Sequence, residues 1–298
     1  MNLPKGVYVP MITPFRKDSE TLDAKAIENN AARLAAAGVA GLMPLGSNGE
    51  FRSLSDDESL EVIKSVLRAV PKGLTVMCGV SRESAFQTLA FIDRVAALGI
   101  QAVFVLTPCF FQKSVGEAGL LRYYEQIAQK SPIPILLYTA PSYSGGVELP
   151  GEVVRIMAQH PNCIGMKDSS PLPTQTYAPY ASDKFRILAG SQAKLFQWMQ
   201  AGAVGGVLSA ANYAPEVCVR LMKAYQSAGA EEIHPTDAAL KKAGKTISGQ
   251  FGVSGVKAAA SLCGFDGGVA RNPCPVLGKE ELSVIEAELK TLHHAVDC

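Results

Sequence analysis

The chain contains 298 residues, of which 48% are hydrophobic and 18% are charged. This length allows one large domain or two ordinary ones, and α/β barrels routinely use about 250 residues as a single domain. The formal net charge of +1 gives no electrostatic reason to expect nucleic acid, an anionic membrane or a polyanionic substrate as a partner. No apolar run approaches the ~20 residues needed to cross a bilayer, so we expect no membrane segment.

The cysteine pattern indicates free thiols. There are seven cysteines, an odd number, and none forms a CxxC pair or a cysteine/histidine cluster at zinc spacing. Most lie inside apolar segments, where a free cysteine behaves as a small hydrophobe. The sequence also opens without the apolar segment of a signal peptide. We therefore expect reduced cysteines, no bound metal and a cytoplasmic or similarly reducing location.

Short apolar runs alternate with longer amphipathic stretches from the start of the chain to about residue 228. The short runs are almost continuously apolar, as is typical of parallel strands that are covered on both faces. The predicted strands are Val7–Ile12, Gly41–Gly46, Leu74–Val80, Ala102–Pro108, Pro134–Ala140, Cys163–Ser169, Arg186–Ser191 and Gly205–Ala211.

The stretches between these runs have helical periodicity. The first predicted helix begins after Asp23 as N-cap and stops at Gly38, and the second begins at Ser55 with acidic residues in its first turn. The segment after Asp168, which contains two prolines, has the weakest helical pattern. Further helices fit Glu83–Leu98, Glu117–Lys130, Pro150–Gln159, Gln192–Gln200 and Pro215–Ala228.

Eight strand–helix repeats predict an α/β fold, a closed (β/α)₈ TIM barrel over residues 1–228. The alternative is a doubly wound open sheet, which requires a glycine-rich phosphate loop after its first strand, whereas Pro10–Phe15 follows here. Residues 229–298 are predicted to form a C-terminal helical extension, with helices at Glu231–Ile247 and Lys279–His293, rather than a separate functional domain.

One lysine stands at the end of an apolar strand. Barrel enzymes place their catalytic groups at the carboxyl ends of strands, and Lys167 closes the predicted sixth strand. Strand alternation puts it on the face of Cys163 and Gly165, opposite Ile164 and Met166, and the small partners suggest that this face is the barrel interior.

Burial would favour the neutral amine of Lys167, which is the form that attacks a ketone to give an imine. The alternative is an ordinary solvated ion pair with Asp168 or Glu50. The sequence of the strand alone leaves both interpretations open.

Two further positions at strand ends allow a functional and a structural interpretation. Tyr138 ends the apolar strand that contains Ile135–Leu137, and it is either a packing residue or a proton donor. The Gly46–Gly49 segment is either a tight turn or a loop that presents backbone N–H groups and the Ser47 hydroxyl to a carboxylate.

Taken together and in this order, these pieces resemble the dihydrodipicolinate synthase/N-acetylneuraminate lyase family of Schiff-base aldolases. The resemblance covers essentially the whole chain. Within the family the likeness is greatest to the 4-hydroxy-2-oxoglutarate aldolases, through the loop Gly46–Phe51, the Thr107–Cys109 motif and the segments His160–Ser169 and Gly202–Val207. The resemblance to the family as a whole also includes the motifs Pro10–Phe15, Leu137–Pro141 and Leu188–Ser191.

The resemblance implies a mechanism and a set of site residues. Lys167 would form the Schiff base, Tyr138 would act as general acid/base and Ser47 would assist. No metal or organic cofactor is implied, because the lysine imine is the electron sink. The implied partner is a small 2-oxo acid, and the implied assembly is a homotetramer built as a dimer of dimers. The substrate-binding set is Ser47, Asn48, Gly49, Thr13, Ser169, Gly190, Val207 and Ser209, with Phe110 and Tyr143 at an interface or lining the site.

Three departures from the family pattern bear on specificity. Phe110 stands where the family usually carries a proton-relaying tyrosine, so Ser47 or water would have to serve instead. Tyr143 stands where dihydrodipicolinate synthases carry an arginine for the aldehyde substrate's carboxylate, which argues against that activity. The residues Ser191–Ala193 lack the acidic groups by which sialic acid lyases hold sugar hydroxyls.

The function that we predict is retro-aldol cleavage of a 4-hydroxy-2-oxo acid to pyruvate and an aldehyde. The best single substrate is 4-hydroxy-2-oxoglutarate, which would give pyruvate and glyoxylate, and a 2-keto-3-deoxy sugar acid is next. A dehydratase or synthase that uses the same imine is the first alternative. A non-catalytic protein that binds an oxo acid as a sensor is the second.

Overall fold

The computed structural model describes residues 3–228 and 234–297. Eight parallel strands pair in chain order, and β1 also pairs with β8, so the sheet closes into a barrel and the predicted (β/α)₈ fold is confirmed. The strands are β1 (Gly6–Val9), β2 (Gly41–Leu42), β3 (Thr75–Gly79), β4 (Ala102–Leu106), β5 (Ile135–Thr139), β6 (Cys163–Asp168), β7 (Arg186–Ala189) and β8 (Gly205–Val207).

Helices surround the barrel and continue beyond it at the C-terminal end of the chain. Within the described residues they are α1 (Ala24–Ala36), α2 (Asp56–Ala69), α3 (Ala85–Ala96), α4 (Gln112–Lys130), α5 (Gly151–Met157), α6 (Leu195–Gln200), α7 (Pro215–Ala228), α8 (Pro235–Gly244), α9 (Phe251–Leu262) and α10 (Lys279–Asp297).

The strands are shorter than the apolar runs that predict them. β1 was expected to reach Ile12 but ends at Val9, because Pro10 has no N–H with which to continue the ladder. β8 was expected to reach Ala211 but ends at Val207. Asn212, in the 3₁₀ turn that follows, accepts from the Ile12 N–H and donates to the Pro10 carbonyl, each at 3.0 Å. A side chain therefore replaces the sheet's hydrogen bonds at the barrel mouth.

The predicted starts of the first two helices are confirmed. The Asp23 side chain accepts from the Ala26 N–H at 3.1 Å. Ser55 and Glu58 form a reciprocal capping box at the start of α2. The first helix ends at Ala36, and Gly38 follows with φ of 79°, which is the usual way for glycine to terminate a helix.

The sixth repeat lacks its helix. Two 3₁₀ turns, Thr174–Thr176 and Ala178–Tyr180, stand where an α-helix would complete the pattern. Pro171, Pro173 and Pro179 each remove a backbone donor, so a regular helix cannot form across this segment.

The C-terminal extension contains one helix that the sequence pattern did not predict. α9 includes Gly252, Ser254 and Gly255, which have low helix propensity, but it buries Val256 and Ala259 against the barrel side. The helix predicted at Glu231–Ile247 is observed from Pro235 onward, and residues 231–233 lie outside the described part of the chain. The helix predicted at Lys279–His293 is confirmed as α10.

The hydrophobic core has two layers. An inner cluster fills the barrel with large side chains, among them Tyr8, Met43 and Phe104, so the barrel is packed and is not a channel. A larger outer cluster joins the strands to the surrounding helices. Among the helices of residues 3–228 and 234–297, none is both long enough and apolar enough to span a membrane.

Candidate active site

The amine of Lys167 lies inside the barrel. The side chain is 3% exposed, and its Nζ atom lies 4.1 Å from the centroid of the Tyr138 ring and 4.0 Å from the Sδ atom of Met43. The two carboxylates that could have paired with it are bound to other lysines: Asp168 to Lys194 and Glu50 to Lys257. The predicted interior position of Lys167 is therefore observed, and the alternative of a solvated ion pair is wrong.

The predicted orientation of the first two residues of β6 is wrong. Cys163 belongs to the outer cluster and Ile164 to the inner one, the reverse of the prediction. The register of β6 against β5 shifts between Cys163 and Gly165, which leaves an extra residue in the strand, so alternation cannot be counted across it. A Cβ atom at Gly165 would lie 2.1 Å from the Arg186 carbonyl oxygen, so only glycine fits this close approach.

Tyr138 and Ser47 meet beside the lysine. The Ser47 Oγ atom lies 3.2 Å from the Tyr138 hydroxyl oxygen, and either group can donate. Tyr138 is 3% exposed, whereas Ser47 is half-buried at the end of the barrel. The Tyr138 ring lies against the Lys167 amine, and its hydroxyl contacts the Ser47 hydroxyl. The two hydroxyls form a short path for a proton between the buried interior and the barrel mouth.

The Ser47–Gly49 segment is a 3₁₀ turn. The first N–H groups of such a turn have no partner within it, and here they belong to Ser47 and Asn48. The turn is fixed from two sides. The Thr13 hydroxyl donates to the Gly49 carbonyl at 2.8 Å, and the Asn48 amide donates to the Ser209 hydroxyl at 2.7 Å. The structure thus brings together residues that follow β1, β2 and β8.

Ser169 and Gly190 lie together at the ends of β6 and β7. The Ser169 hydroxyl donates to the Gly190 carbonyl at 3.2 Å, and the Gly190 N–H donates to the Asp168 carbonyl at 2.7 Å. A Cβ atom at position 190 would lie 2.4 Å from the backbone carbonyl oxygen of Asp168, so glycine is required. Val207, the last residue of β8, is buried in the inner cluster.

Phe110 and Tyr143 do not join this buried cluster. Phe110 is 76% exposed and packs edge-on against Phe111, which is 66% exposed, with ring centroids 4.9 Å apart. Tyr143 is 52% exposed on the 3₁₀ turn after β5. The Glu83 carboxylate accepts from the Phe110 and Cys109 N–H groups, so the backbone under the exposed rings is held firmly. The aromatic pair is thus an apolar surface at the same end of the barrel.

Asp168 holds the end of β6, a role that the sequence analysis missed. Its buried carboxylate accepts from the Trp198 indole N–H at 2.9 Å, from the Lys194 amine at 3.1 Å and from the Ser170 N–H at 2.9 Å. Burial, with the charge of Asp168, raises the pKa of the neighbouring Tyr177 well above its usual range. The available signal was Trp198, because a buried indole N–H needs an acceptor.

The six described cysteines form no disulfide with one another, and Cys298 lies outside the described residues. Burial raises the pKa of the Cys163 and Cys218 thiols to about 12, which makes them unreactive at neutral pH. Across residues 3–228 and 234–297, no three His, Cys, Asp or Glu side chains cluster in a way that could hold a metal ion.

A closed barrel with polar side chains gathered at the carboxyl ends of its strands is the arrangement of a barrel enzyme. The chain belongs to the dihydrodipicolinate synthetase family, whose model matches residues 3–292, and it is a lyase of that family. The predicted family and enzyme class are confirmed.

Relatives and a solved structure match over nearly the full chain. A probable mitochondrial 4-hydroxy-2-oxoglutarate aldolase from Emericella nidulans is 32% identical over 94% of this chain and 92% of its own. The L-threo-3-deoxy-hexylosonate aldolase of Hypocrea jecorina is 29% identical over 97% and 96%. Proteins named 4-hydroxy-tetrahydrodipicolinate synthase also match. The crystal structure of the E. coli K12 protein YagE in complex with pyruvate has a TM-score of 0.86 and 27% identity, and the match covers 97% and 98% of the two chains.

Proposed function

We propose that this protein is a class I aldolase in which Lys167 forms a Schiff base with a 2-oxo acid. The observation that carries the proposal is the Lys167 amine, which is buried beside the Tyr138 ring while the nearby carboxylates are paired with other lysines. A buried amine without a carboxylate partner is arranged as a nucleophile and not as a structural cation.

The first half of the reaction forms the imine. The neutral amine of Lys167 attacks the C2 ketone of the substrate, and the resulting carbinolamine loses water to give a protonated imine. The 3.2 Å contact between Ser47 and Tyr138 supplies a path for the protons that move in this step. The imine takes the place of a metal or an organic cofactor, because it accepts the electron pair of the bond that breaks next.

The second half breaks the C3–C4 bond. Tyr138 has given its own proton to the departing carbinolamine hydroxyl, so it can now take the proton of the C4 hydroxyl. The aldehyde leaves, and the bonding electrons move into the imine to give an enamine. Protonation at C3 and hydrolysis of the imine then release pyruvate and the free Lys167 amine. Phe110 cannot relay a proton as the family's tyrosine does, and Ser47, which lies within hydrogen-bonding distance of Tyr138, takes that role.

The Ser47–Gly49 turn is proposed to bind the carboxylate next to the ketone. Its free N–H groups and the Ser47 hydroxyl are donors, and Thr13 and Ser209 hold the turn in place. The rest of the substrate-binding site is proposed to be lined by Ser169, Gly190 and Val207, with Tyr143 at its entrance.

The substrate is proposed to be 4-hydroxy-2-oxoglutarate, cleaved to pyruvate and glyoxylate, with a 2-keto-3-deoxy sugar acid as the next candidate. The name of the Emericella nidulans relative, a probable 4-hydroxy-2-oxoglutarate aldolase, supports the first substrate. The name of the Hypocrea jecorina relative, an L-threo-3-deoxy-hexylosonate aldolase, supports the second. Tyr143 in place of a substrate-binding arginine argues against the synthase reaction.

The test is borohydride trapping of the intact protein with a panel of 2-oxo acids, read by mass spectrometry, together with assays for aldehyde and pyruvate. Trapping with release of an aldehyde supports the aldolase. Trapping with loss of water from the substrate and no aldehyde would indicate a dehydratase. Trapping without turnover of any substrate would indicate a protein that only binds oxo acids.

Three broader proposals accompany the reaction. The exposed Phe110–Phe111 pair supports a homotetramer built as a dimer of dimers, because adjacent exposed aromatic rings are characteristic of an interface. The unpaired thiols are consistent with a reducing, cytoplasmic location. The division into a barrel, residues 1–228, and a helical extension, residues 229–298, stays a proposal as well.

A further inference from the structure

Glu50, which directly follows the Ser47–Gly49 turn, has an unusual environment for a glutamate. It is 7% exposed, and its backbone adopts a left-handed conformation with φ of 52°. Residues other than glycine rarely adopt this conformation, and they keep it only where the surrounding structure holds them there. The groups that hold Glu50 therefore also fix where the turn ends.

These groups come from the C-terminal extension. The Lys257 amine, on α9, forms an ion pair with the Glu50 carboxylate, and both side chains are almost completely buried, at 2% and 4% exposure. Lys257 also donates to the Val269 carbonyl at 2.6 Å. The Arg271 N–H donates to the second carboxylate oxygen of Glu50 at 3.0 Å. Burial lowers the pKa of Lys257, and the charge of Glu50 opposes this shift, so the carboxylate favours the charged form of the lysine.

The Arg271 side chain extends the same cluster along the segment that follows the turn. Its guanidinium binds Glu58 at the start of α2 and donates to the Ser53 carbonyl at 2.6 Å. The Phe15 ring lies beneath both cations, 4.4 Å from the Lys257 Nζ atom and 4.3 Å from the Arg271 Cζ atom. The segment that follows the Ser47–Gly49 turn, from Glu50 to Glu58, is thus tied to one cluster of cations.

We propose that Glu50, Lys257 and Arg271 form a positioning cluster, through which the helical extension holds the Ser47–Gly49 turn in the conformation that binds the substrate carboxylate. The proposal rests on the proposed function of the turn. A buried ion pair can often be replaced by apolar side chains without loss of stability, so its charges are better suited to fixing a geometry than to stabilising the fold.

The test is the double variant Glu50→Gln/Lys257→Met, which removes both charges and leaves neither buried alone. We expect the apparent Kd of pyruvate, taken from the concentration dependence of borohydride trapping, to rise about tenfold or more, because a displaced turn loses its carboxylate contacts. The trapping rate at saturating pyruvate should change less than about threefold, since Lys167 is untouched. Hydrogen–deuterium exchange of the backbone amides of residues 47–50 should become faster.

The matched control is Asp237→Asn/Lys241→Met, which removes another ion pair of the same extension, 3.0 Å long with a buried carboxylate. It should leave both the pyruvate Kd and the exchange of residues 47–50 at wild-type values, whatever its effect on the melting temperature. A folded Glu50→Gln/Lys257→Met variant with wild-type exchange in the turn would overturn the proposal, and so would wild-type pyruvate affinity.

Two further measurements cover a variant that does not fold and a wild-type protein that does not react with oxo acids. If the double variant does not fold, Arg271→Gln is measured in the same way, because it removes the guanidinium contacts to Ser53 and Glu58 and leaves the buried Glu50–Lys257 pair intact, and wild-type values there count against the proposal. If the wild-type protein traps no oxo acid, the proposed function fails, while the exchange of the turn still decides whether the cluster positions it.

Discussion

At the scale of single residues, the unpaired amine of Lys167 leads to the most direct prediction. Pyruvate with borohydride should add one stable pyruvyl-derived group to the protein, located on Lys167. Lys167→Ala should abolish both the adduct and turnover. The fold should survive. Among the described residues no carboxylate is paired with Lys167, so its removal leaves no buried charge without a partner. Peptide mapping by mass spectrometry checks this, and an adduct on Lys5 or Lys194 would show that the assignment is wrong.

Tyr138 leads to a kinetic prediction. If its hydroxyl moves the proton of the C4 hydroxyl, Tyr138→Phe should lower kcat by about 10²–10⁴, the usual range for a positioned acid/base. The ring is retained, so packing against Lys167 and binding of pyruvate should persist. Steady-state assays are compared with those of Tyr180→Phe, a variant outside the site. Near-wild-type turnover of Tyr138→Phe would make Tyr138 a packing residue and give the proton another path.

Within the site, the sequence predicted the burial of Lys167 but not the ion pairs around it. The apolar strand and its final lysine predicted a buried Lys167, which is observed. The partners that exclude the ion-pair alternative, Lys194 and Lys257, lie 27 and 90 positions further along the chain from Lys167. No local pattern connects them to it, because they are brought together only by closure of the barrel and docking of α9.

At the scale of elements, the extension and α2 are joined by the Arg271–Glu58 ion pair. The hydrogen bond from Arg271 lowers the pKa of Glu58 from its ordinary value of 4.5. A carboxyl whose pKa is lower in the folded state stabilises the fold above its unfolded pKa and loses this contribution as pH falls through the folded value. The pair is partly exposed, so its contribution should be about 0.5–1 kcal/mol.

The expected result is that Glu58→Gln lowers the free energy of unfolding at pH 7 but not at a pH well below the lowered pKa. Urea unfolding between pH 7 and pH 2 measures this. Glu125→Gln, which changes an exposed carboxylate of α4, serves as control and should follow the wild-type profile. A constant difference between Glu58→Gln and wild type across the whole pH range would show that the charge of Glu58 is not the source of the effect.

The elements that the sequence misjudged have two kinds of physical cause, one local in the chain and one that depends on tertiary contacts. The sixth helix is replaced by turns because prolines remove its donors, a local effect that the sequence does show. The register shift in β6 depends on Gly165 approaching the Arg186 backbone, which is a contact between neighbouring strands. α9 forms against its own low helix propensity because its buried face packs on other parts of the fold, and propensity alone cannot show this.

At the scale of the whole molecule, Phe110 tests the proposed assembly. Its ring is 76% exposed in the single chain, so Phe110→Ala should leave the melting temperature of a monomer unchanged. If a second subunit buries the ring, the same change should weaken association by about 3–5 kcal/mol and lower activity with it. Phe110→Tyr should change activity only modestly. Sedimentation at micromolar concentration is the measurement, and a fully active monomer would exclude subunits that complete each other's sites.

The sequence by itself determined the closed barrel, the order of its strands, the family and the place of Lys167 at the end of the sixth strand, because these depend on periodicity, strand-end residues and motifs that are local in the chain. Only the tertiary structure decided which lysine each carboxylate binds, where β6 shifts register, and that Lys257 and Arg271 reach Glu50. The physical reason is that ion pairs and close backbone approaches depend on three-dimensional distance, which residues more than 200 positions apart acquire only when the barrel and its extension have folded together.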